Sequence, residues 1–482
     1  MTKLFSIILA GGSGIRLWPV SREMYPKQMF KFDDDYTLFQ KTFLNLTNFV
    51  DDKNIITVTN TKYASQIKDQ LKKLQEKFGR SIEYKMLAEP ISQNTAPATF
   101  LCAKYIKDVL KTTQSTEVIV FVTPSDHLIT NRDDFSEIIL KGVKLAKEGY
   151  IVSFGTEINE KDKIDLNFGY IKARKNSKIQ EIEPEALKAT KFLEKPSKKD
   201  AEELKGKIFL NSGNYMFSIE TILEEFQKYV PDIYEIIMNS KPQASIPAIS
   251  LEEYSKTDKI SIDYAIMEKT KKLVTLPISG WKDIGSWNGI YEIMKKDKKQ
   301  NVIIGENIDI GSKESLIYSP NKLTATIGLN KKAVIVTEDA VLVSDLEDSQ
   351  GSKEIYTKIN GKNEKTKEIH QTVYRPWGCY TVLENGNGFL TKCIVVNPAS
   401  KLSVQLHHHR SEHWIILEGE AVVLKGSEKH ILKTGESIDI AVEEVHSLQN
   451  ESNSQLKVLE IQQGDILDEN DIERLEDIYG RV

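Results

Sequence analysis

Three stretches, LFSIILA (4–10), NIITVTN (54–60) and EVIVFVT (117–123), constrain the fold more than anything else in the chain. Each is a short, near-continuous apolar run rather than an alternating one, so each reads as a strand buried on both faces. Helical patterns lie between them, at 63–79 and 94–111. Buried strands separated by helices predict a mostly parallel sheet with helices on both sides. This texture runs to about residue 295. From 296 to 345 it gives way to short strands with little helix: NVIIGENIDI, SLIYSP, LTATIGL and AVIVTEDAVLVSDL. Residues 346–373 are charged and poor in large apolar groups, and read as a linker with one short helix. From 374 to 482 short strands return with turns at Asn385-Gly386, Pro398-Ala399, Glu418-Gly419 and Thr434-Gly435, the pattern of a β-barrel or sandwich. A length of 482 residues fits this division, at about 150 residues per domain.

Charge narrows the partners. Lys and Arg total 65 against 70 Asp and Glu, a formal net charge of −5. A protein held to nucleic acid by phosphate neutralisation needs a basic excess, so none is expected as a partner. A single nucleotide needs only a few local cations. Cys102, Cys379 and Cys393 are too few and too scattered for a disulfide framework or a thiolate zinc site, which points to a reducing compartment. No apolar run approaches the ~18 residues of a membrane span. A cytoplasmic protein without membrane attachment is expected.

The segment LAGGSGIRLWPVSREMYPKQ (9–28) follows the first strand directly. Gly11, Gly12 and Gly14 let the backbone approach a ligand, and successive N–H groups can cradle an anion. Neither a P-loop nor the dinucleotide fingerprint is present: no Gly-Lys-Ser/Thr follows, and Leu17 stands at the third glycine position. A glycine loop alone is equally a tight strand-to-helix turn. Arg16, Arg22 and Lys27 within the next dozen residues favour phosphate handling. Asp126, just past the strand 117–123, and Asp283, in GWKDIGSW, are carboxylates suited to Mg²⁺ beside phosphates. Taken singly, each Asp reads first as a turn or cap residue, and the flanking residues shift that balance.

The C-terminal histidines form a second constellation. His407, His408, His409, His413, His430 and His446 are six of the eight in the chain. If LSVQLHHH is a strand, Leu402, Val404 and Leu406 face one way and Ser403, Gln405, His407 and His409 the other. Gln405, His407, Glu412 and His446 then make an N/O ligand set for Zn²⁺ or a similar divalent ion. Adjacent histidines can equally form a polar surface patch.

Residues 1–290 resemble the sugar nucleotidyltransferases, and within them the mannose-1-phosphate guanylyltransferases. The matching stretches are LAGGSGIRLWPVSR, YPKQ, EPISQNTAPA (89–98), TPSDHLI, FLEKP (192–196), LNSGNYMF (210–217), SIDYAIMEKT (261–270) and GWKDIGSW. The resemblance implies a Rossmann-like α/β nucleotidyltransferase domain that joins GTP and α-mannose 1-phosphate into GDP-mannose and pyrophosphate. It assigns Arg16 and Lys27 to the triphosphate, Asp126 and Asp283 to Mg²⁺, and Lys195 to the sugar phosphate. It assigns Glu194 and Asn211 to sugar hydroxyls, Gly169 to the sugar loop, and Asn94 with the glycine loop to the nucleotide. Ile15 stands where the family commonly has Thr, Gln93 where it has Arg, and LNFGYI (166–171) keeps only Gly169, Tyr170 and Ile171 of the sugar loop.

Gln405-x-His407, Glu412 and Gly419, then Gly435, His446 and Asn450, resemble the two cupin motifs. RPWGCY (375–380), HHHRSEHWIILEG (407–419) and ERLEDIYGRV (473–482) resemble a type II phosphomannose isomerase domain. That implies a cupin barrel interconverting mannose 6-phosphate and fructose 6-phosphate, with Arg410 on the substrate phosphate and His409 or Glu460 as base. Ala399 replaces a common glycine, and Ala441-Val442-Glu443 replaces the usual Pro-x-Gly turn, so a residue at positive φ is strained there or the turn differs. A homo-oligomer is expected. The alternatives are a guanylyltransferase whose barrel only binds metal or sugar or mediates oligomerisation, and a catalytically dead sugar-nucleotide sensor. Joint presence of Arg16, Lys27, Asp126, Lys195 and Asp283 argues against the last.

Overall fold

The computed structural model describes residues 2–12, 14–32, 35–110, 117–158, 164–202, 204, 206–348 and 351–477. Position 111 of the predicted helix 94–111 and the last five residues of ERLEDIYGRV lie outside these. The chain forms two compact units, Met1–Thr337 with Val341–Asn360, and Glu338–Ala340 with Gly361–Val482.

The first unit is built on strands β1 (Thr2–Leu9), β2 (Ile55–Asn60), β3 (Lys85–Glu89), β4 (Glu117–Pro124), β5 (His127–Ile129), β6 (Ile151–Ile158), β7 (Gly169–Arg174), β8 (Leu187–Glu194), β9 (Ile208–Ser218), β10 (Leu273–Pro277) and β11 (Trp281–Asp283). All but β5 and β11 form one sheet in the order β3-β2-β1-β4-β9-β6-β10-β8-β7. The apolar runs are β1, β2 and β4, at its parallel end. Alternate residues of β4 serve opposite cores: Val118, Val120 and Val122 pack on one face of the sheet, Ile119 and Phe121 on the other. That two-sided burial is why the run is continuously apolar. Helices Ala64–Phe78 and Thr95–Leu110 agree with the predicted 63–79 and 94–111.

The sheet is mixed rather than mostly parallel. The β7–β8 hairpin and β9 enter antiparallel, with β9 lying between β4 and β6. The β6–β9 ladder passes from Phe154↔Asn214 to Gly155↔Asn211, skipping Ser212 and Gly213. Gly213 takes φ 70° there, a conformation open to glycine.

Strands β12 (Val302–Ile310), β13 (Leu316–Ile327), β14 (Lys332–Val336) and β15 (Val341–Asp345) follow. β12, β13 and β14 pair in parallel and β15 closes antiparallel, a short β-helix segment. SLIYSP and LTATIGL belong to a single strand, β13. Helices Gly351–Lys358 and Lys365–Glu368 occupy the charged stretch. No described helix is long and apolar enough to cross a membrane.

The second unit stacks two six-stranded antiparallel sheets. Trp414, Ile416, Val423, Leu448, Val396 and Val458 are among the residues filling the space between them.

Candidate functional site

Past the C-terminal edge of β1, the chain turns through Gly11, Gly12 and Gly14 into a 3₁₀ turn, Ile15–Leu17. Gly14 takes φ 64°, and a Cβ there would stand 2.7 Å from Cγ of Lys27. The loop is therefore laid directly on the Lys27 side chain. Lys27 is 8% exposed, and its Nζ lies 2.7 Å from Oδ2 of Asp126. Asp126 follows β4, next to β1, at the sheet edge where α/β folds place ligands.

Asp283 arrives through a different contact. β5 and β11 pair as a two-stranded antiparallel ribbon with Asp283 opposite His127. Nε2 of His127 lies 3.7 Å from Asp126 and 3.9 Å from Asp283, so the two carboxylates flank one imidazole. The backbone N–H of Gly285 donates to Oδ1 of Asp283 at 3.0 Å.

The electrostatics follow from this crowding. Burial opposes the charge of Lys27, but Asp126 and Asp283 outweigh it and raise its pKa. Burial likewise opposes ionisation of Asp126, yet Lys27 and His127 pull it down to about 2. His127 is held below its ordinary value by burial, partly offset by the two aspartates. Arg16 is half-buried on the 3₁₀ turn, close enough for its charge to oppose that of Lys27. Two hard oxygen ligands beside clustered phosphate-type cations fit Mg²⁺.

Arg22 does not join this group. It is fully buried, with its guanidinium over Trp18 and an Nη2 contact of 3.5 Å to Thr337. Gln93, which replaces the family's Arg, is also turned inward and donates to the carbonyl of Thr257 at 2.7 Å. Asn94 is exposed at φ 71° and accepts from the N–H of Thr95 at the start of helix Thr95–Leu110. Gly11 lies against Glu89, whose buried carboxyl is pushed up to about 7 and bonded by Tyr254.

A separate cluster assembles at the β7–β8 hairpin. Gly169 pairs with Glu194, and a Cβ on it would stand 2.5 Å from Oε2 of Glu194. Asn211 is beside both, and its Nδ2 reaches Oη of Tyr215 at 2.7 Å and Oδ1 of Asp263 at 3.3 Å. Oδ1 of Asn211 is buried without a hydrogen-bond partner. Lys195 sits at φ 47° with Nζ 2.9 Å from Oε1 of Glu194. Burial and then Asp263 raise the Glu194 pKa. Gly169, Glu194, Lys195 and Asn211 thus meet. The sequence reading missed Asp263, Tyr215 and His127 as members of these groups, although each lies inside a quoted family stretch.

In the barrel, strands Val404–His407 and His446–Asn450 pair with Gln405 opposite His446. His407, Glu412 and His446 are all buried and offer ligand atoms within 4.8 Å of one another. Nδ1 of His407 faces the Asp471 carbonyl at 3.4 Å and Nδ1 of His446 the Glu444 carbonyl at 2.8 Å. Both Nε2 atoms are buried without a hydrogen-bond partner. Two imidazoles oriented through Nδ1, with orphaned Nε2 atoms near a carboxylate, fit a divalent N/O metal site. Burial opposes the Glu412 charge, but His407 and His446 overcome it and hold its pKa down. The side-chain carbonyl of Gln405 accepts from Ser403 at 2.9 Å.

The two departures from the cupin turns keep the backbone rather than change it. Ala399 takes φ 51° and Glu443 φ 62°. The N–H of Glu443 donates to the His407 carbonyl at 2.7 Å, tying the second turn to the first ligand strand. A side chain in this region costs about 1–2 kcal/mol relative to glycine.

Arg410 is 2% exposed, and its guanidinium contacts Glu412 and the Asp468 carbonyl. It lines a cavity with Arg375, Lys392, Glu460 and Arg474; Glu460 is one of the two bases the resemblance allows, Arg375 and Arg474 lie inside the matching stretches without an assigned role, and Lys392 lies outside them. His409 is half-exposed, with Nδ1 2.7 Å from Asp471.

Residues 5–300 match the nucleotidyl transferase family, 305–359 a mannose-phosphate isomerase/GMP-like β-helix domain, and 362–477 the mannose-6-phosphate isomerase C-terminal family. The chain is 34% identical over 487 residues to the alginate biosynthesis protein AlgA of Pseudomonas syringae pv. tomato, covering 99% of this chain and 97% of that one. It is 34% identical over 485 residues to a mannose-1-phosphate guanylyltransferase of Salmonella muenchen, covering 99% and 98%. A Thermus thermophilus structure described as a mannose-1-phosphate geranyltransferase superposes with TM-score 0.62 at 24% identity, over 74% of this chain and 99% of that one, and shares the fold.

Proposed function

The chain belongs to the mannose-1-phosphate guanylyltransferases that carry a C-terminal mannose-6-phosphate isomerase domain, and from that premise we propose that it transfers GMP from GTP to α-mannose 1-phosphate, releasing pyrophosphate, and that its barrel interconverts mannose 6-phosphate and fructose 6-phosphate. The observation that carries the first activity is the convergence of Lys27, Asp126 and Asp283 beneath the glycine loop. The sugar phosphate oxygen attacks the α-phosphorus in line, and pyrophosphate leaves on the opposite side. Little covalent chemistry falls to the protein, so position and charge dominate.

Backbone N–H groups of the glycine loop, Arg16 and Lys27 bind the triphosphate and stabilise charge on the leaving pyrophosphate. Asn94 and the loop border the nucleotide. Asp126 and Asp283 would hold Mg²⁺, whose charge offsets that of the phosphates. Lys27, now paired with Asp126 at 2.7 Å, lies where its charge can turn to the triphosphate, which would leave the Asp126 carboxylate for Mg²⁺. Lys195 holds the sugar phosphate and Glu194 accepts from sugar hydroxyls, while Asn211, whose Nδ2 is taken by Tyr215 and Asp263, offers its unpartnered Oδ1 as a further acceptor. Gly169, having no Cβ, lets the Glu194 carboxylate lie against the backbone of the sugar loop.

In the barrel, Gln405, His407, Glu412 and His446 would hold Zn²⁺ or another divalent ion, which supplies an electrophile for the hexose oxygens. Arg410 and the neighbouring cations draw the substrate phosphate into the cavity. We place the functional boundaries at 1–295, 296–345, 346–373 and 374–482. The test is direct: the purified chain is supplied with GTP and mannose 1-phosphate, then with fructose 6-phosphate. GDP-mannose in the first assay and mannose 6-phosphate in the second support the full reading. Product in the first assay alone leaves a guanylyltransferase with a non-catalytic barrel.

A further inference from the structure

Among the buried carboxylates of the barrel, Glu412 and Glu460 lie on neighbouring strands, Arg410–Glu418 and Leu456–Gly464, with contrasting surroundings. Glu412 faces the histidine cluster: Oε1 lies 3.0 Å from Nε2 of His407 and accepts from Gln462, and Oε2 accepts from the Trp414 indole. Glu460 is 5% exposed and lines the cavity. Its two polar contacts, Gln462 Nε2 at 2.9 Å and Lys392 Nζ at 3.4 Å, both fall on Oε1, and Oε2 takes neither. Gln462 donates to Glu412 and to Glu460 from the same nitrogen, which sets the two carboxylates side by side.

We infer that Glu460 is the catalytic acid–base of the barrel and carries the proton between C1 and C2 of the open-chain hexose 6-phosphate. This rests on the isomerase reading of the barrel. Isomerisation needs an electrophile near O1 and O2 and a base near C1 and C2. The His407–Glu412–His446 cluster answers the first need, and Glu460, one Gln462 amide away, answers the second.

From mannose 6-phosphate, the Glu460 carboxylate takes the proton from C2. The C–H electron pair becomes the C1–C2 double bond, and the carbonyl pair moves onto O1. The enediolate then collapses: the Glu460 carboxyl returns its proton to C1, the O2 proton passes to O1, and the carbonyl forms at C2. Nothing is oxidised or reduced overall, and Glu460 ends as it began.

Its electrostatic setting agrees with that task. Burial and the neighbouring Glu412 charge disfavour ionisation, Lys392 and Arg410 favour it, and Glu460 sits at about 7. A general base works best near the operating pH. His409, the other base that the motifs allow, is half-exposed, pairs with Asp471, and is absent from the cavity lining.

The test uses the full chain carrying Glu460→Gln, Glu460→Asp or His409→Ala. Each is assayed for fructose 6-phosphate isomerisation, for deuterium entering C2 of mannose 6-phosphate in D₂O, for bound metal, and for GDP-mannose synthesis. Glu460→Gln should lose both isomerisation and deuterium entry by about 10²–10⁴-fold, while metal content and GDP-mannose synthesis stay at wild-type levels. Glu460→Asp should keep measurable exchange, and His409→Ala should stay within about tenfold of wild type. Wild-type exchange in Glu460→Gln, or its loss in His409→Ala with Glu460→Gln active, overturns the assignment. A wild-type chain that makes GDP-mannose but neither isomerises nor exchanges overturns the isomerase reading itself, and the role of Glu460 with it.

Discussion

Gly14→Ala is the most telling perturbation of the transferase site. Gly14 takes φ 64°, and a Cβ there would lie 2.7 Å from Cγ, 2.9 Å from Cβ and 3.1 Å from the backbone N of Lys27. The left-handed backbone alone costs an alanine about 1–2 kcal/mol, and overpacking adds about 1–3 kcal/mol. Carbon atoms settle about 3.5–4.0 Å apart, so Lys27 must retreat by most of an ångström. It cannot do so and keep its 2.7 Å contact with Asp126. A displacement of about 1 Å at a reacting centre can cost a hundredfold. The expected result is a fall of about ten- to a hundredfold in kcat/KM for GTP, measured by pyrophosphate release, with a lowered melting temperature. Gly12→Ala is the internal control, because nothing lies within 4 Å of its Cβ position. It should leave the melting temperature alone and raise KM for GTP, since the methyl intrudes where the phosphates approach. Wild-type kcat/KM and melting temperature in Gly14→Ala would refute the reasoning.

Asp126→Asn and Asp283→Asn should each lower GDP-mannose formation at least about a hundredfold with the fold intact, because metal-borne charge stabilisation is worth several kcal/mol; near-normal turnover of both at limiting Mg²⁺ contradicts the assignment. Lys195→Ala should mainly raise KM for mannose 1-phosphate, a contact made equally in ground and transition states; a rise confined to GTP moves Lys195 to the nucleotide side. His446→Ala should empty the barrel site as read by elemental analysis, and a wild type that stays metal-free after expression with zinc excludes the site. Asp126 is depressed from 3.8 to about 2, so its contribution to stability is complete above about pH 4 and is lost as the pH falls through 2. The stability gap between wild type and Asp126→Asn should therefore shrink by about 2 kcal/mol over that interval in acid unfolding; a gap independent of pH contradicts the Lys27–Asp126 pairing.

What the sequence determined by itself is local or periodic. The apolar runs became β1, β2 and β4 because burial on both faces leaves little place for polar residues. The glycine loop is legible because a tight turn against Lys27 tolerates no side chain at Gly14. Period-2 alternation put Gln405 and His407 on one face without any knowledge of the barrel. What only the tertiary structure decided depends on register between distant segments. Asp283 meets Asp126 because β11 pairs with β5 at His127, a partnership across more than a hundred residues that no local pattern encodes. Arg22 looked like a third phosphate ligand by spacing, yet it is buried over Trp18, since a charge count along the chain carries no direction. Asp263 joins Asn211 and Glu194 from a segment that no local pattern links to either. Glu460 stands beside Glu412 because an antiparallel ladder brings Gln462 opposite Glu412. Side-chain chemistry is written residue by residue, but which residues share one small volume is set by strand pairing and packing, which act over the whole chain.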